Sequence, residues 1–326
     1  MTAQKPKSGT RSRAEDMKES TDYEHEGTPD QHQTLTTDGY MEAALSNASK
    51  RAYASDLREF IRWGGSIPST PEQVATYLAE MATTLAISTL QRRLITIHKA
   101  HTQAGYESPV RAPKVKQVLA GIRRTYGTRQ RQAKPILKDD LLEMLVMVDQ
   151  QRPVKAARDK ALMLIGFAGA FRRSELVAIR CEDITEYPAG IEVLIQRSKT
   201  DQEGVGRTVF IPHASGARCP VAALKDYKTL TGISSGWVFR AVRSEQVSES
   251  PLTAQSVALI LKAAAKQVGV SPDLISGHGL RAGYCTQAAI VGLQPWQIRE
   301  QTGHKSDLVL ARYIRPVAKR KLPSLL

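Results

Sequence analysis

Cysteine is scarce, with three in 326 residues. Cys181, Cys219 and Cys285 are odd in number, far apart and without a CxxC pair, so neither a disulfide framework nor a zinc site is suggested. No apolar run approaches the roughly 18 residues of a membrane span, and the N-terminus lacks the apolar core of a secretion signal. GxxxxGK[ST] is absent, so no phosphate-cradling nucleotide loop is evident. Aromatics make up only 6% of the chain, which leaves no stacking platform for an RNA reader. "GISSG" at 232–236 matches a serine-hydrolase elbow in letters, but "KDYKTL" before it and strand-like "WVFRAV" after it are the wrong flanks. Only His98 and His101 stand at helical ligand spacing, with no third ligand nearby, and they read as ordinary surface or packing histidines. Neither metal nor cofactor is expected, and a reducing cytoplasm is the expected compartment.

Acid is missing from one stretch in particular. Residues 108–138 hold nine Lys/Arg and no Asp or Glu, within a chain of net charge +14. Such a balance points to a polyanionic partner, and without a membrane segment that partner is nucleic acid. The first 40 residues run the other way, with five Lys/Arg against eight Asp/Glu and few large apolar side chains. On that composition residues 1–37 read as a disordered tail. Otherwise 41% hydrophobic and 24% charged residues are ordinary for a globular protein, and the length suggests two domains.

The region 38–127 reads as helices only. Thr70 followed by Pro71, and Ser88, fit helix starts, while Gly105 fits a stop. Val115, Val118, Leu119 and Ile122 recur at helical spacing, with Lys114, Lys116, Arg123 and Arg124 turned away from the centre of their stripe. "YGTRQRQAKP" then loses periodicity and reads as a basic linker over 128–137. Lys50, Arg51, Arg58, Arg92, Arg93, Arg123, Arg124, Arg129 and Arg131 are candidates for gripping a phosphate backbone; solvated helix faces are the alternative. From 138 to 326 the pattern mixes types, with helices interrupted by two strands, 191–196 and 207–212, about a Gly- and Asp-containing turn.

That second region carries an ordered set of cationic and proton-transferring residues. "GAFRRSEL" sets Arg172 where one helix breaks and the next begins, with Glu175 three residues on. "QRSKT" sets Lys199 at a strand-to-turn junction, and "SGHGLRAG" sets His278 and Arg281 on one face of a starting helix. "QTGHKSDLVLARYIRP" holds His304 nine residues before Tyr313, which stands among Arg312 and Arg315 on a helix capped by Ser306. Singly each is weak. Together they suit attack on phosphorus: two guanidinium forks bind the non-bridging oxygens and neutralise developing charge. A tyrosine whose pKa is lowered by those cations attacks, while a lysine and a histidine exchange protons with the attacking and leaving oxygens.

These motifs resemble those of the tyrosine recombinases of the phage integrase family. "AFRRSEL" is similar to the family's arginine-x-Ser-Glu-Leu box, "RSKTDQEG" to its hairpin lysine segment, "HGLRAG" to its His-x-x-Arg box, and "GHKSDLVLARYIR" to the motif ending at its nucleophile. The resemblance over about 150–316 implies Arg172, Lys199, His278, Arg281, His304 and Tyr313 as catalytic, supported by Glu175. Arg172 rather than Arg173 takes the first role, because the family usually has an aliphatic residue before the serine. The resemblance implies an all-α core-binding bundle over 38–127 and a mixed α/β, mainly helical catalytic domain with a small sheet over 138–326, together clamping a duplex. It also implies a 3′-phosphotyrosyl intermediate without metal or ATP, four protomers on two double-stranded DNA sites, and possible accessory DNA-bending proteins. A type IB topoisomerase would share the chemistry, and a DNA-binding regulator with a decayed site would share the charge.

Overall fold

The computed structural model describes residues 36, 44–127, 133–196 and 206–320. The chain divides into two compact units, 1–130 and 131–326.

In the first unit the described residues form four helices, α1 (Asn47–Trp63), α2 (Pro71–Met81), α3 (Ile87–Gln103) and α4 (Pro113–Tyr126), with a 3₁₀ turn at Pro109–Arg111. Local chemistry sets their ends. Ser46 Oγ accepts from the Ser49 N–H, and Thr70 Oγ1 accepts from the Gln73 N–H beside Pro71 at the first helical position. α3 begins one residue before the expected Ser88, with Ala86 at its cap and no side-chain cap bond, so packing rather than capping starts this helix. Phe60, Tyr77, Leu78, Leu90, Ile97, Val115 and Ile122 make the core of this unit. The Phe60 and Tyr77 rings meet edge to face with centroids 5.0 Å apart. Burial of such side chains contributes about 1.5–3 kcal/mol apiece. His101 belongs to this packing: its Nε2 accepts from the Ser69 N–H and its Nδ1 lies 2.7 Å from the Ile97 carbonyl, to which it donates.

The second unit holds α5 (Lys138–Val148), α6 (Pro153–Ala168), α7 (Arg173–Ala178), α8 (Pro220–Thr231), α9 (Ala254–Gln267), α10 (Gly279–Ile290), α11 (Pro295–Thr302) and α12 (Asp307–Arg320). Three strands, β1 (Ile184–Tyr187), β2 (Gly190–Ile195) and β3 (Arg207–Pro212), pair antiparallel in that order, with Ile191 opposite Ile211 and Val193 opposite Val209. Those four residues and Ile195 face inward, while Leu194 and Phe210 face solvent. A separate hairpin, β4 (Arg240–Arg243) and β5 (Gln246–Pro251), turns through Ser244 and Glu245, both at positive φ. α6 runs through the core with Ala161, Leu162 and Met163 fully buried. The stretch read as a linker over 128–137 is described from 133 onward. There Lys134 N–H donates to the Leu274 carbonyl and Ile136 N–H to that of Gly279, laying the chain against α10. Gly283 permits this approach: a Cβ there would fall 1.7 Å from the Ile136 oxygen.

Candidate functional site

α6 ends at a sharp turn in which Ala170, fully buried, takes a left-handed φ of 49°. A non-glycine residue in that region costs about 1–2 kcal/mol, and here its carbonyl accepts from Arg281 Nη1 at 2.8 Å. Two residues on, Arg172 caps α7. Its backbone N–H donates to Glu175 Oε2 at 2.9 Å and its guanidinium to Oε1. Glu175 is itself buried and also accepts from Arg207 Nη2 at 3.4 Å.

Arg281 lies in the first turn of α10, 2% exposed, with Nη2 3.2 Å from His304 Nε2. Burial, with Arg172 adding repulsion, pulls its pKa down to about 10, which leaves it charged at neutral pH. His278, at the N-cap of the same helix, is exposed, and its backbone N–H donates to Ser276 Oγ.

His304 follows Gly303, whose φ of +66° ends α11. Thr302 Oγ1 donates to the Ile298 carbonyl at 2.7 Å, so it accepts from His304 Nδ1, also at 2.7 Å. The proton is thereby held on Nδ1, and Nε2 offers its lone pair to Arg281. Burial first, then Arg281, Arg172, Arg207 and His278, pull the imidazole down to about 4. His304 is neutral at pH 7.

Tyr313 stands on α12, whose first turn Ser306 caps through the Leu308 N–H. Its ring centroid is 6.1 Å from that of His304, and its body packs with Cys285, Ala288, Ile298 and Leu310. The expectation that surrounding cations lower its pKa is corrected. Burial and the neighbouring Cys285 raise it, outweighing Arg281, Arg312 and Arg172.

Arg172 and Glu175 at the start of α7, Arg281 on α10, His304 after α11 and Tyr313 on α12 thus converge. Lys199, Arg129 and Arg131 lie outside the described residues. In the first unit Lys50 lies on α1, Arg51 is exposed there, and Arg123 and Arg124 are exposed in the last turn of α4. Arg92 and Arg93 are not simply solvated. Arg92 forks onto buried Asp56 at 2.6 and 2.9 Å, and Arg93 donates to Tyr77 Oη, tying α3 to α1 and α2. Arg207, Gln301 and Thr302 carry no sequence signal, because a strand arginine and two ordinary polar residues near a helix end belong to no motif. Among the described residues no three His, Cys, Asp or Glu side chains converge as metal ligands, and no helix is long and apolar enough to cross a membrane.

Residues 135–320 match the sequence model of the Phage integrase family. The chain is 36% identical over 284 residues to an integrase/recombinase xerD homolog of Selenomonas ruminantium, spanning 84% of this chain and 83% of that relative. It is 23% identical over 271 residues to the recombinase cre of Escherichia phage P1, spanning 76% of each. Among solved structures, the XerH site-specific recombinase bound to a palindromic difH substrate aligns with a TM-score of 0.63 at 17% identity, over 83% of this chain and 77% of that one. A lambda integrase dimer bound to a COC′ core site aligns at 0.62 and 17%, over 89% and 78%.

Proposed function

Since the chain belongs to the phage integrase family of tyrosine recombinases, whose members recombine DNA at specific sites through a phosphotyrosyl intermediate, we propose that Tyr313 is its nucleophile and Arg172 and Arg281 its phosphate-binding arginines. The observation that carries this reading is the arrangement of Arg281, His304 and Tyr313, with 3.2 Å between the first two and 6.1 Å between the rings of the last two.

The scissile phosphate sits between the two guanidinium groups, which take its non-bridging oxygens and the charge that grows there. Tyr313 attacks phosphorus and forms the 3′-phosphotyrosyl bond, and the 5′-oxygen departs. Since burial holds the Tyr313 proton on, attack requires an acceptor, for which His304 and His278 are the candidates. Lys199 is the candidate donor to the departing oxygen. A 5′-hydroxyl from a partner strand then reverses the step and joins new ends. The ester conserves the bond energy, so no ATP enters the scheme, and the arginines supply the positive charge that a metal would otherwise bring.

The helices over 38–127 serve as a core-binding bundle and 138–326 as the catalytic domain, joined by a basic linker over 128–137. Lys50, Arg51, Arg92, Arg93, Arg123, Arg124, Arg129 and Arg131 supply phosphate contacts, with Arg92 and Arg93 presented by the ion pairs that order them. The partner is double-stranded DNA in the cytoplasm, with four protomers on two sites and accessory DNA-bending proteins where a site requires bending.

Tyr313→Phe removes one oxygen and keeps the ring packed. Labelled duplex, selected from random-sequence DNA by binding to the variant, should be bound by both proteins and yield a covalent adduct on a denaturing gel only with the unaltered one. An adduct in the Phe variant would remove Tyr313 as nucleophile.

A further inference from the structure

Arg207 opens β3 and reaches across the site rather than out of the sheet. Its Nη2 lies 3.4 Å from Glu175 Oε2, the oxygen that also accepts the Arg172 N–H. Its Nη1 donates to the Gln301 carbonyl, in the last turn of α11, at 3.0 Å. Gln301 in turn donates through Nε2 to the carbonyls of Ala168, at the end of α6, and Phe210, on β3, both at 3.0 Å. Gly303 leaves the passage open, because a Cβ there would fall 2.7 Å from Arg207 Nε. That Nε is buried with no partner among the described residues.

A buried donor left unmade is unfavourable, and the guanidinium is drained of solvent besides, its pKa lowered first by burial. A side chain held so against its own solvation is oriented by its ends, and these ends join the Glu175 carboxylate that steadies Arg172 to the turn that carries His304. We propose that Arg207, with Gln301, is a positioning residue that fixes the His304 turn and strand β3 against the Arg172–Glu175 pair, and so sets the distance between the phosphate-binding arginines and His304. The inference rests on the catalytic reading above. It adds that β3, the strand leaving the segment that contains Lys199, is registered to the arginines through the same guanidinium.

Arg207→Met removes both bonds and the charge, while Arg207→Lys keeps a charge that can reach one partner but not both. Single-turnover cleavage of the selected duplex, scored as adduct formed per correctly folded molecule, should fall about 10- to 100-fold in the Met variant, the scale of loss that roughly 1 Å of misplacement causes. Half-saturating DNA should stay within about threefold, because a positioning residue does not hold substrate. The Lys variant should show most of the rate loss. A further readout separates positioning at His304 from general scaffolding. Arg207 is one of the cations that repel a proton from His304, so the acid limb of the rate profile should move to higher pH in Arg207→Met and stay in Arg207→Lys. Full cleavage in the Met variant, a loss of DNA affinity matching the loss of rate, or an unmoved acid limb would each overturn the inference while leaving the nucleophile assignment standing. An unaltered protein that forms no adduct on this duplex would remove both.

Discussion

At the scale of single residues, burial governs which groups can move protons. His304 and Tyr313 sit with ring centroids 6.1 Å apart beneath the same arginines, yet the field of those cations acts on them oppositely: it reinforces burial at the histidine and opposes it at the tyrosine. The imidazole is therefore kept unprotonated far below its ordinary range. Its folded pKa of about 4 lies under the unfolded value near 6.5. The folded state is thus fully favoured above the unfolded pKa and loses stability as pH falls from about 6.5 towards about 4, because the unfolded chain takes up the proton first. His304→Gln keeps a polar side chain without that titration. Melting temperatures of the two proteins from pH 7 to pH 4 should therefore converge, the unaltered protein falling more steeply. Parallel curves would show that the His304 proton is bound equally well in both states.

At the scale of elements, α10 is the piece against which the others are placed. Its first turn carries Arg281, its N-cap is His278, and its side receives the backbone of Ile136 where the chain enters the second unit. The approach is so close that Gly283 admits no side chain: a Cβ would overlap the Ile136 carbonyl oxygen at 1.7 Å, and backbone cannot swing aside as a flexible side chain can. Gly283→Ala should lower stability by about 1–3 kcal/mol, the range for forced overpacking. It should also slow cleavage by displacing Arg281 along with the helix. A denaturant midpoint unchanged from the unaltered protein would show that Ile136 yields freely. The β4–β5 hairpin shows why this level is only partly legible in sequence. Its turn is Ser244–Glu245, both residues left-handed without a glycine or asparagine, so the usual turn signal is missing. β1 is hidden likewise, a four-residue strand whose pairing with β2 rather than its own composition makes it a strand.

At the scale of the whole molecule, charge is the property that reaches furthest. A net +14, with nine Lys/Arg and no acid over 108–138, favours DNA of any sequence by releasing counterions. Neutralising Arg123, Arg124, Arg129 and Arg131 together should weaken binding to all duplexes alike, and the slope of log K against log salt should become shallower by about 0.9 for each phosphate no longer neutralised. An unchanged slope would mean that this stretch does not touch DNA. Deleting the net-acidic residues 1–36 should leave affinity equal or slightly higher in the same titration.

The sequence by itself determined which chemistry to look for and roughly where. Four short motifs in a set order marked the candidate cations, the histidines and the tyrosine. Thr70–Pro71 marked a helix start that stands in the structure, and the alternation in "IEVLIQ" marked β2 to within a residue. These are local signals, written in caps, periodicity and spacing, and they survive because neighbouring residues suffice to produce them. What only the tertiary structure decided depends on residues far apart in the chain. That Arg281 meets a carbonyl presented by a left-handed Ala170 belongs to this class. So does the single unprotonated nitrogen of His304, set by Thr302 on one side and Arg281 on the other. Tyr313 was expected to be acidified by its cations, and burial reversed that, since desolvation is a property of everything packed around a group. Arg207 is the clearest instance, an arginine without a motif whose partners lie 32 and 94 positions away.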